Sequence, residues 1–292
     1  MATTTAEAPR RGAISRWETR TGLLFVLPCF LLFLAFRFGP SIAGVLLGFF
    51  EFSIGDSPAF NGLENFRRLL GDPVFWDSLR VTLVYTVLYV PLSIGMSLGM
   101  ALLVRRSFRG AGFFRSVFFL PVVTSLVLAG TVFTWLFSSE GPWTKLTGEP
   151  WLASTTLVIP ALVMVSVWSK FGYGMLIILA RLQDLPRELE EAALTDGAGV
   201  WQRFRHIVAP QLRPALFFVA VIETTGSFQV FDLVYVMTGG GPAHSSYTLV
   251  MALYDQGFKY FDFGYASAIG VALFVMTLVV ALIQRLIIGR NR

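Results

Sequence analysis

The side chains with the most distinctive chemistry are polar groups within an apolar run near the end of the chain. The segment VIETTGSFQVFDLVYVMTGGGP, residues 221–242, mixes hydroxyl, amide and carboxyl groups with residues that suit a membrane interior. Polar groups inside a membrane span are costly, so they usually face a cavity or a partner helix. Hydroxyl and amide groups of this kind could hydrogen-bond a hydroxyl-rich solute. The candidate pathway residues are Glu223, Thr224, Ser227, Gln229 and Asp232.

The sequence leaves a purely structural role for these groups equally open. Glu223 and Ser227 are four residues apart and therefore share one helix face, but that face can bond a neighbouring helix as well as line a pathway. Gly226 permits close packing of such a neighbour. Lys170, in an earlier apolar run, either pairs with Glu223 or extends its amine to the membrane surface. The aromatic rings that could stack on a solute are Phe228, Phe231 and Tyr235.

Residues with catalytic or metal-binding potential are sparse. The sequence holds one cysteine, Cys29, and two histidines, His206 and His244, which are far apart along the chain. A membrane enzyme needs acid, base or metal groups that converge, and a zinc site needs several Cys or His ligands. We therefore expect no catalytic residue, metal site or cofactor on this chain.

The composition is that of a membrane protein. Hydrophobic residues make up 55% of the chain and charged residues 14%, whereas a soluble domain carries about 25% charged residues. A helix needs about 20 apolar residues to cross a bilayer. We predict an all-α integral membrane protein, with a disordered polar tail over residues 1–20 and a transmembrane domain over 21–292. The six predicted transmembrane helices lie at about 22–50, 79–104, 113–137, 152–180, 214–237 and 264–288.

The first apolar run has two possible interpretations. Arg37 and Pro40 interrupt it, so we expect the helix to cross the membrane and then emerge. A secretory signal peptide is the alternative, because basic residues precede the run. No small-x-small cleavage site follows it, however, which favours a membrane span.

The basic residues predict the orientation of the spans. Short loops rich in Lys and Arg stay on the cytoplasmic side. Sixteen basic residues lie before the first span, after the sixth, or in the loops after the second and fourth, whereas the other loops carry four. Both termini and the segment 181–213 are therefore predicted to be cytoplasmic. The net charge of +5 then reflects membrane topology, and we expect no nucleic acid partner.

The segment 181–213 has the pattern of two short helices. Pro186 suits the first turn of a helix, and the acidic residues that follow favour its N-terminus. Gly197 can take the left-handed conformation that ends a helix. We expect a second short helix over GVWQRFRHIV, stopped by Pro210 and Pro214, after which the chain restarts as the fifth span. By shape alone, the segment could be an amphipathic linker at the membrane surface.

The spacing of residues within this segment carries a more specific signal. EAALTDGAGVWQRFRHIVAPQLRP, residues 191–214, resembles the EAA loop of the membrane subunits of bacterial ABC importers. GLENFRRLLGDPVFWDSLRVTL (62–83) and RGAGFFRSVFFLPVV (109–123) look like segments of sugar-importing permeases. SFQVFDLVYVMTGGGP (227–242) is similar to the end of the fifth span in MalF-like subunits of carbohydrate importers. One departure is Ala209, where that family usually has leucine.

The resemblance implies a type I ABC importer permease fold and a set of partners. In this family the EAA loop is a coupling helix that docks on a cytoplasmic ATPase dimer, which uses ATP and Mg. The family also implies a second homologous permease, an extracellular solute-binding protein, a sugar substrate and surrounding membrane lipid. The six residues that would contact the ATPase are Glu191, Ala192, Ala193, Asp196, Gly197 and Ala198.

The sequence independently argues against ATP binding by a P-loop on this chain, so an ATPase that drives transport would be another polypeptide. A P-loop needs a Gly-Lys-Ser/Thr sequence, and none of Lys145, Lys170 and Lys259 follows a glycine. The chain is thus expected to be a transport subunit and not an enzyme.

Other transport functions remain as alternatives. A permease for glycerol phosphate, a polyol or another solute would carry the same loop. A self-sufficient secondary transporter should show internal repeats and several intramembrane carboxylates. Glu223 is the one deep carboxylate in the predicted spans, which disfavours that alternative.

Overall fold

The computed structural model describes residues 16–55, 57–105 and 109–288 of the chain. Within these ranges, five helices are long and apolar enough to cross a membrane, or six spans result if one bent pair of helices counts as a crossing. Most of the expected tail, residues 1–15, lies outside the described part, as do several basic residues of the orientation argument: Arg10, Arg11, Arg106, Arg290 and Arg292. The helices of the spans are α1 Arg16–Phe33, α2 Gly39–Leu47, α4 Pro73–Leu103, α5 Ala111–Val123, α6 Leu126–Leu136, α8 Val158–Gln183, α11 Ala209–Phe228 and α14 Phe263–Ile288.

Shorter elements connect the spans. A two-residue hairpin pairs β1 with β2 in antiparallel register, with Phe50 opposite Phe60. The turns of π-helix are Leu34–Phe38, Phe204–Val208 and Asp255–Lys259, and Trp151–Ala153 is a 3₁₀ turn. The short elements are β1 Phe50–Glu51, β2 Ala59–Phe60, α3 Glu64–Gly71, α7 Pro142–Thr147, α9 Arg187–Thr195, α10 Val200–Arg203, α12 Asp232–Met237 and α13 Leu249–Tyr254.

The first span does not break at Arg37 and Pro40, contrary to expectation. A π turn widens the helix there, with the Gly39 N–H donating to the Leu34 carbonyl, and helix α2 continues to Leu47. Pro40 sits in the first turn of α2, where the missing N–H of proline costs little. The interruption therefore changes the helix locally without ending it.

The predicted third span, 113–137, is a bent pair of helices. Helices α5 and α6 meet at 92° around Thr124 and Ser125, whose backbones are not helical. Pro121 lies in the last turn of α5, and its carbonyl accepts the Thr124 N–H at 3.2 Å. A single straight helix was the wrong expectation for this run, because the apolar composition continues through the bend while the backbone does not.

Helix α8 is the centre of the bundle. It begins at Val158, later than the predicted 152, and ends at Gln183, with Lys170 in its interior. A Cβ on Gly174 would lie 2.6 Å from the Ser97 Oγ of α4. The same Ser97 hydroxyl donates to the Phe171 carbonyl at 2.9 Å. The glycine therefore allows α4 and α8 to pack closely along their length.

The fifth span begins earlier and ends earlier than predicted. Helix α10, the second π turn and α11 form one rod from Val200 to Phe228, so Pro210 and Pro214 do not separate a surface helix from the span. Pro210 follows the π turn, in which the Ala209 N–H donates to the Phe204 carbonyl, and it falls in the first turn of α11. A proline at that position is tolerated. Beyond Phe228 the chain turns into the separate short helix α12.

The sixth predicted span, 264–288, matches α14 Phe263–Ile288 closely. At the end of the bundle opposite α9, α14 is tied to α3. The Arg68 guanidinium binds the Asp262 carboxylate at 2.6 Å and lies 4.1 Å from the centre of the Tyr265 ring. These contacts connect the first and last thirds of the chain.

Candidate functional site

A cavity of about 500 Å³ lies between α4, α8, the end of α11 and residues 229–233. Its wall combines hydroxyl, amine, amide and carboxyl groups with aromatic rings. Ligand sites are typically concave, largely apolar and furnished with a few polar groups, and this cavity has those properties. The charged and hydrogen-bonding side chains in its wall are Tyr85, Tyr89, Ser166, Ser169, Lys170, Tyr173, Glu223, Gln229 and Asp232.

Three of the five candidate pathway residues line this cavity: Glu223, Gln229 and Asp232. The other two are buried against neighbouring helices. The Thr224 hydroxyl accepts from Gln284 Nε2 of α14 at 2.7 Å. The Ser227 hydroxyl donates to Thr86 Oγ1 of α4 at 3.0 Å. The five candidates therefore fall into a cavity-lining group and a helix-bonding group, which the sequence alone did not distinguish.

Glu223 is 5% exposed and sits where α4 and α11 meet. The Tyr89 hydroxyl donates a hydrogen bond to its Oε2. Among the salt bridges of the described residues there is no Lys170–Glu223 pair, although both side chains line the same cavity. Lys170 itself lines the cavity and contributes an amine donor to its wall.

Sequence reasoning missed the contribution of α4. Six buried hydroxyl side chains follow one another on this helix at intervals of three or four residues, so they lie on one face. The signal was present in the sequence as a hydroxyl stripe within the second apolar run. Tyr89 belongs to it, and nearby Tyr85 donates to Ser166 Oγ of α8 at 2.7 Å. The stripe consists of Ser78, Thr82, Thr86, Tyr89, Ser93 and Ser97.

The aromatic candidates occupy different surroundings. Phe231 lines the cavity, whereas Phe228 is 1% exposed and belongs to the packed interior. Tyr235 is exposed and packs against Phe231, with ring centroids 5.3 Å apart. Within the cavity wall, Tyr85 and Tyr89 stack with nearly parallel rings. The aromatic rings in the cavity wall thus come from α4 as well as from the end of the fifth span.

The segment between α8 and α11 forms a surface loop whose helix ends as the sequence indicates. Helix α9 terminates at Thr195, and Gly197 has a φ of +76°. The Gly197 N–H donates to the Leu194 carbonyl at 3.0 Å, and the Ala198 N–H donates to the Ala193 carbonyl at 2.9 Å. This pair of bonds is a Schellman motif, which satisfies the last carbonyls of a helix.

The loop presents small and apolar residues to its surroundings. Of the six residues assigned to a contact with an ATPase, Glu191, Ala192, Asp196 and Gly197 are exposed, and Ala193 and Ala198 are half-buried. Three large apolar side chains that sequence reasoning did not assign to this contact are also exposed nearby: Leu194, Val200 and Trp201, at 53%, 76% and 67%.

No three His, Cys, Asp or Glu side chains come together as a metal site in the part of the chain that the structure describes. The polar cavity and the exposed loop are therefore the two features that a function must explain.

Comparison with known proteins identifies the kind of protein that shares this arrangement. Residues 92–292 match the family model described as "Binding-protein-dependent transport system inner membrane component". The lactose transport system permease protein LacF of Rhizobium radiobacter is 33% identical, covering 97% of this chain and 97% of its own length. The arabinooligosaccharides transport system permease protein AraP of Bacillus subtilis is 34% identical, covering 89% of this chain and 86% of its own length.

A solved structure shares the fold. It is a bacterial alginate ABC transporter in complex with an alginate pentasaccharide-bound periplasmic protein. The matching chain superposes with a TM-score of 0.78 at 23% identity, covering 91% of this chain and 94% of that one. At this identity the likeness concerns the arrangement of the helices.

Proposed function

The chain belongs to the family of binding-protein-dependent transport system inner membrane components, and we propose that it forms half of the transmembrane pathway of an ATP-driven sugar importer. It is a multi-pass membrane protein and an ABC importer permease subunit, and its relatives include permeases of sugar transport systems. Members of this kind are transport subunits and not enzymes.

The observation that carries the sugar assignment is the chemistry of the cavity wall. Hydroxyl, amide and carboxyl groups from α4, α8, α11 and residues 229–232 converge there with tyrosine and phenylalanine rings. A sugar presents hydroxyl groups that need hydrogen-bond partners and C–H faces that pack on aromatic rings, which are both apolar and polarised. A lactose permease and an arabino-oligosaccharide permease among the relatives support this substrate class.

The charges in the wall favour a neutral solute over an anionic one. Lys170 is the one basic side chain lining the cavity in the described part of the chain, and Glu223 and Asp232 line it as well. The wall therefore holds formal charges of both signs and is not the uniformly basic site that would complement an ionised phosphate or carboxylate. This argues against the glycerol phosphate alternative and leaves polyols as a second substrate class with the same hydrogen-bonding chemistry.

The loop 181–213 is the proposed contact with the ATPase, on the cytoplasmic side. Glu191, Ala192 and Asp196 are exposed, and the small side chains of Ala193, Gly197 and Ala198 leave room for a partner's backbone. The exposed apolar side chains of Leu194, Val200 and Trp201 extend this surface. ATP and Mg would be bound by the partner ATPase dimer.

The remaining partners face other surfaces. Exposed apolar side chains cover the first span, so it must contact lipid or the second permease subunit. The connections 138–151 and 237–265 at the other end of the bundle are the proposed contact surface for a solute-binding protein. The alginate transporter, which forms a complex with its periplasmic protein, supports this assignment.

Uptake by a reconstituted complex tests the proposal. The tagged chain is purified from its host in mild detergent, the co-purifying subunits are identified by mass spectrometry, and the complex is placed in proteoliposomes with the binding protein. Uptake of radiolabelled lactose, arabino-oligosaccharides, glycerol and glycerol 3-phosphate is then measured with and without ATP inside the vesicles. ATP-dependent uptake of a sugar is expected. Uptake by the chain alone without ATP would identify a secondary carrier and overturn the proposal, and selective uptake of glycerol 3-phosphate would overturn the substrate class.

A further inference from the structure

The surface loop is joined to the bundle by an ion pair that the family resemblance did not point to. Arg105 lies just beyond the end of α4, and its guanidinium binds the carboxylate of Glu190 on α9. Both side chains are 24% exposed, so water screens this pair less than it screens a surface pair. A charge-assisted hydrogen bond between such groups is among the stronger polar contacts in proteins.

The neighbours of Glu190 on α9 face the other way. Glu188 and Glu191 are exposed, whereas Glu190 and Ala193 are half-buried, and this spacing of three residues places Glu190 and Ala193 on one helix face. Helix α9 thus uses one face to hold the bundle and leaves the opposite face free. In the proposed contact with the ATPase, Glu191 and Ala192 lie off the Glu190 face and are exposed, and Ala193 is the one member on α9 that shares that face.

The loop is connected to the Tyr89–Glu223 hydrogen bond in the cavity wall by two routes, one through α11 and one through α4. On one side, the rod from Val200 to Phe228 carries Glu223. On the other side, Glu190 binds Arg105, and α4 runs from there to Tyr89, sixteen residues away. At a rise of about 1.5 Å per residue, that distance is about 24 Å. Tyr89 then donates its hydrogen bond to Glu223.

The end of α4 is packed firmly enough to transmit a displacement. Ala101 and Val104 are buried in one apolar cluster with Leu185 and Val208, which lie within the loop on the two sides of α9. The Arg115 guanidinium also donates to the Val104 carbonyl at 2.9 Å. Close-packed side chains are poorly compressible. A displacement of α9 is therefore passed to the end of α4 and is not absorbed between them.

From this geometry we propose that Arg105 and Glu190 are positioning residues that couple the loop to α4. When an ATPase displaces α9, the ion pair moves the end of α4 with it, and α4 shifts Tyr89 relative to Glu223 in the cavity wall. Neither residue lines the cavity, and neither belongs to the proposed ATPase contact. The inference rests on the proposed function, because it assumes that the loop receives the motion of an ATPase.

Charge reversal in the reconstituted complex tests the ion pair. The variants are R105E, E190R and the double variant R105E/E190R, and the measured quantity is the number of sugar molecules imported per ATP hydrolysed. The sugar is the member of the uptake panel that the unmodified complex imports fastest. Each single reversal is expected to lower this ratio at least tenfold while ATP is still hydrolysed. The double variant, which restores opposite charges, is expected to return to within threefold of the unmodified complex, and so is the conservative variant R105K.

The control is a charge reversal in an exposed pair. Arg67 and Glu64 lie 3.7 Å apart with side chains 78% and 65% exposed, and E64R is expected to leave the ratio unchanged. An unchanged ratio in R105E and E190R would overturn the inference. A double variant as defective as the single variants would overturn it as well, because restoring opposite charges should restore the ratio if the ion pair provides the coupling. If the charge reversals release the ATPase from the complex, the neutral variants R105Q and E190Q replace them. A lowered ratio in these variants supports the inference, and an unchanged ratio overturns it.

The failure of this inference is distinguishable from the failure of the proposed function. Normal coupling in R105E, together with lost uptake in the loop variant G197D, would reject only the role of the ion pair. Normal uptake in G197D, or no ATP-dependent uptake by the unmodified complex, would reject the proposed function itself.

Discussion

Tyr89 of α4 donates a hydrogen bond to Glu223 of α11, and this contact joins the second and fifth spans in the wall of the cavity. Glu223 is the deep carboxylate of the fifth span, and Tyr89 belongs to a hydroxyl stripe on a helix that sequence reasoning did not connect with it. The pair therefore has two consequences, one for stability and one for the solute pathway.

Removing the Tyr89 hydroxyl should destabilise the protein and impair transport. Tyr89→Phe leaves the buried Glu223 carboxylate without this donor, and a buried polar group that loses its partner costs about 1–3 kcal/mol. We expect a lower midpoint of thermal unfolding in detergent and a several-fold lower rate of sugar uptake in proteoliposomes. Thr131→Val is the matched loss of a hydroxyl, because Thr131 is exposed and donates to the Val127 carbonyl of its own helix. Equal behaviour of the two variants would contradict a special role for the Tyr89 bond.

Cavity residues and helix-bonding residues of the fifth span should respond differently to substitution. Gln229→Ala and Asp232→Ala remove groups that line the cavity, so we expect them to change the KM for sugar or the order of preference among sugars. Thr224→Val removes the acceptor of the Gln284 bond. Hydrogen bonds between membrane helices contribute about 0.6 kcal/mol on average, so a small loss of stability with an unchanged KM is expected. A changed sugar preference in Thr224→Val alone would reverse this assignment.

The close approach of α4 and α8 depends on a glycine. Gly174→Ala would place a Cβ 2.6 Å from Ser97 Oγ, and overpacking of this kind costs about 1–3 kcal/mol. The expected result is a lower midpoint of thermal unfolding. Gly95→Ala in α4 is the control, since a Cβ there meets nothing within 4 Å. If both alanines are tolerated equally, the packing of α4 on α8 is looser than the structure indicates.

The end of helix α9 offers a test of the proposed ATPase contact. Gly197→Asp adds a charged side chain at an exposed position with a φ of +76°, and we expect the protein to reach the membrane but to lose uptake. Strain contributes as well, because a left-handed conformation costs a non-glycine residue about 1–2 kcal/mol. Gly55→Asp controls for strain, since Gly55 has a φ of +100° and open space around it. Co-purification of the ATPase with each variant completes the measurement, and retention of the ATPase by Gly197→Asp would place the contact elsewhere.

Local chemistry explains which features the sequence could determine. Long apolar runs predicted membrane-spanning helices because burial of apolar side chains in lipid needs no particular neighbour, and α14 begins within one residue of its predicted start. The end of α9 was equally predictable, since Gly197 and Ala198 terminate the helix through bonds to carbonyls three and five positions earlier. The spacing of residues 191–214 and of the segment 227–242 also indicated the family to which the chain belongs.

Only the tertiary structure decided what depends on contacts between distant segments. Proline residues predicted two helix ends that do not occur, because π turns next to Pro40 and Pro210 accommodate the missing N–H groups. An unbroken apolar run hid the 92° bend between α5 and α6. Glu223 and Ser227 share a helix face, yet Glu223 lines the cavity while Ser227 bonds Thr86 of α4. The sequence determined which residues are polar within the membrane, and the packing of α4 and α14 against α11 decided which of them reach the cavity, because a polar group must bond whatever lies beside it.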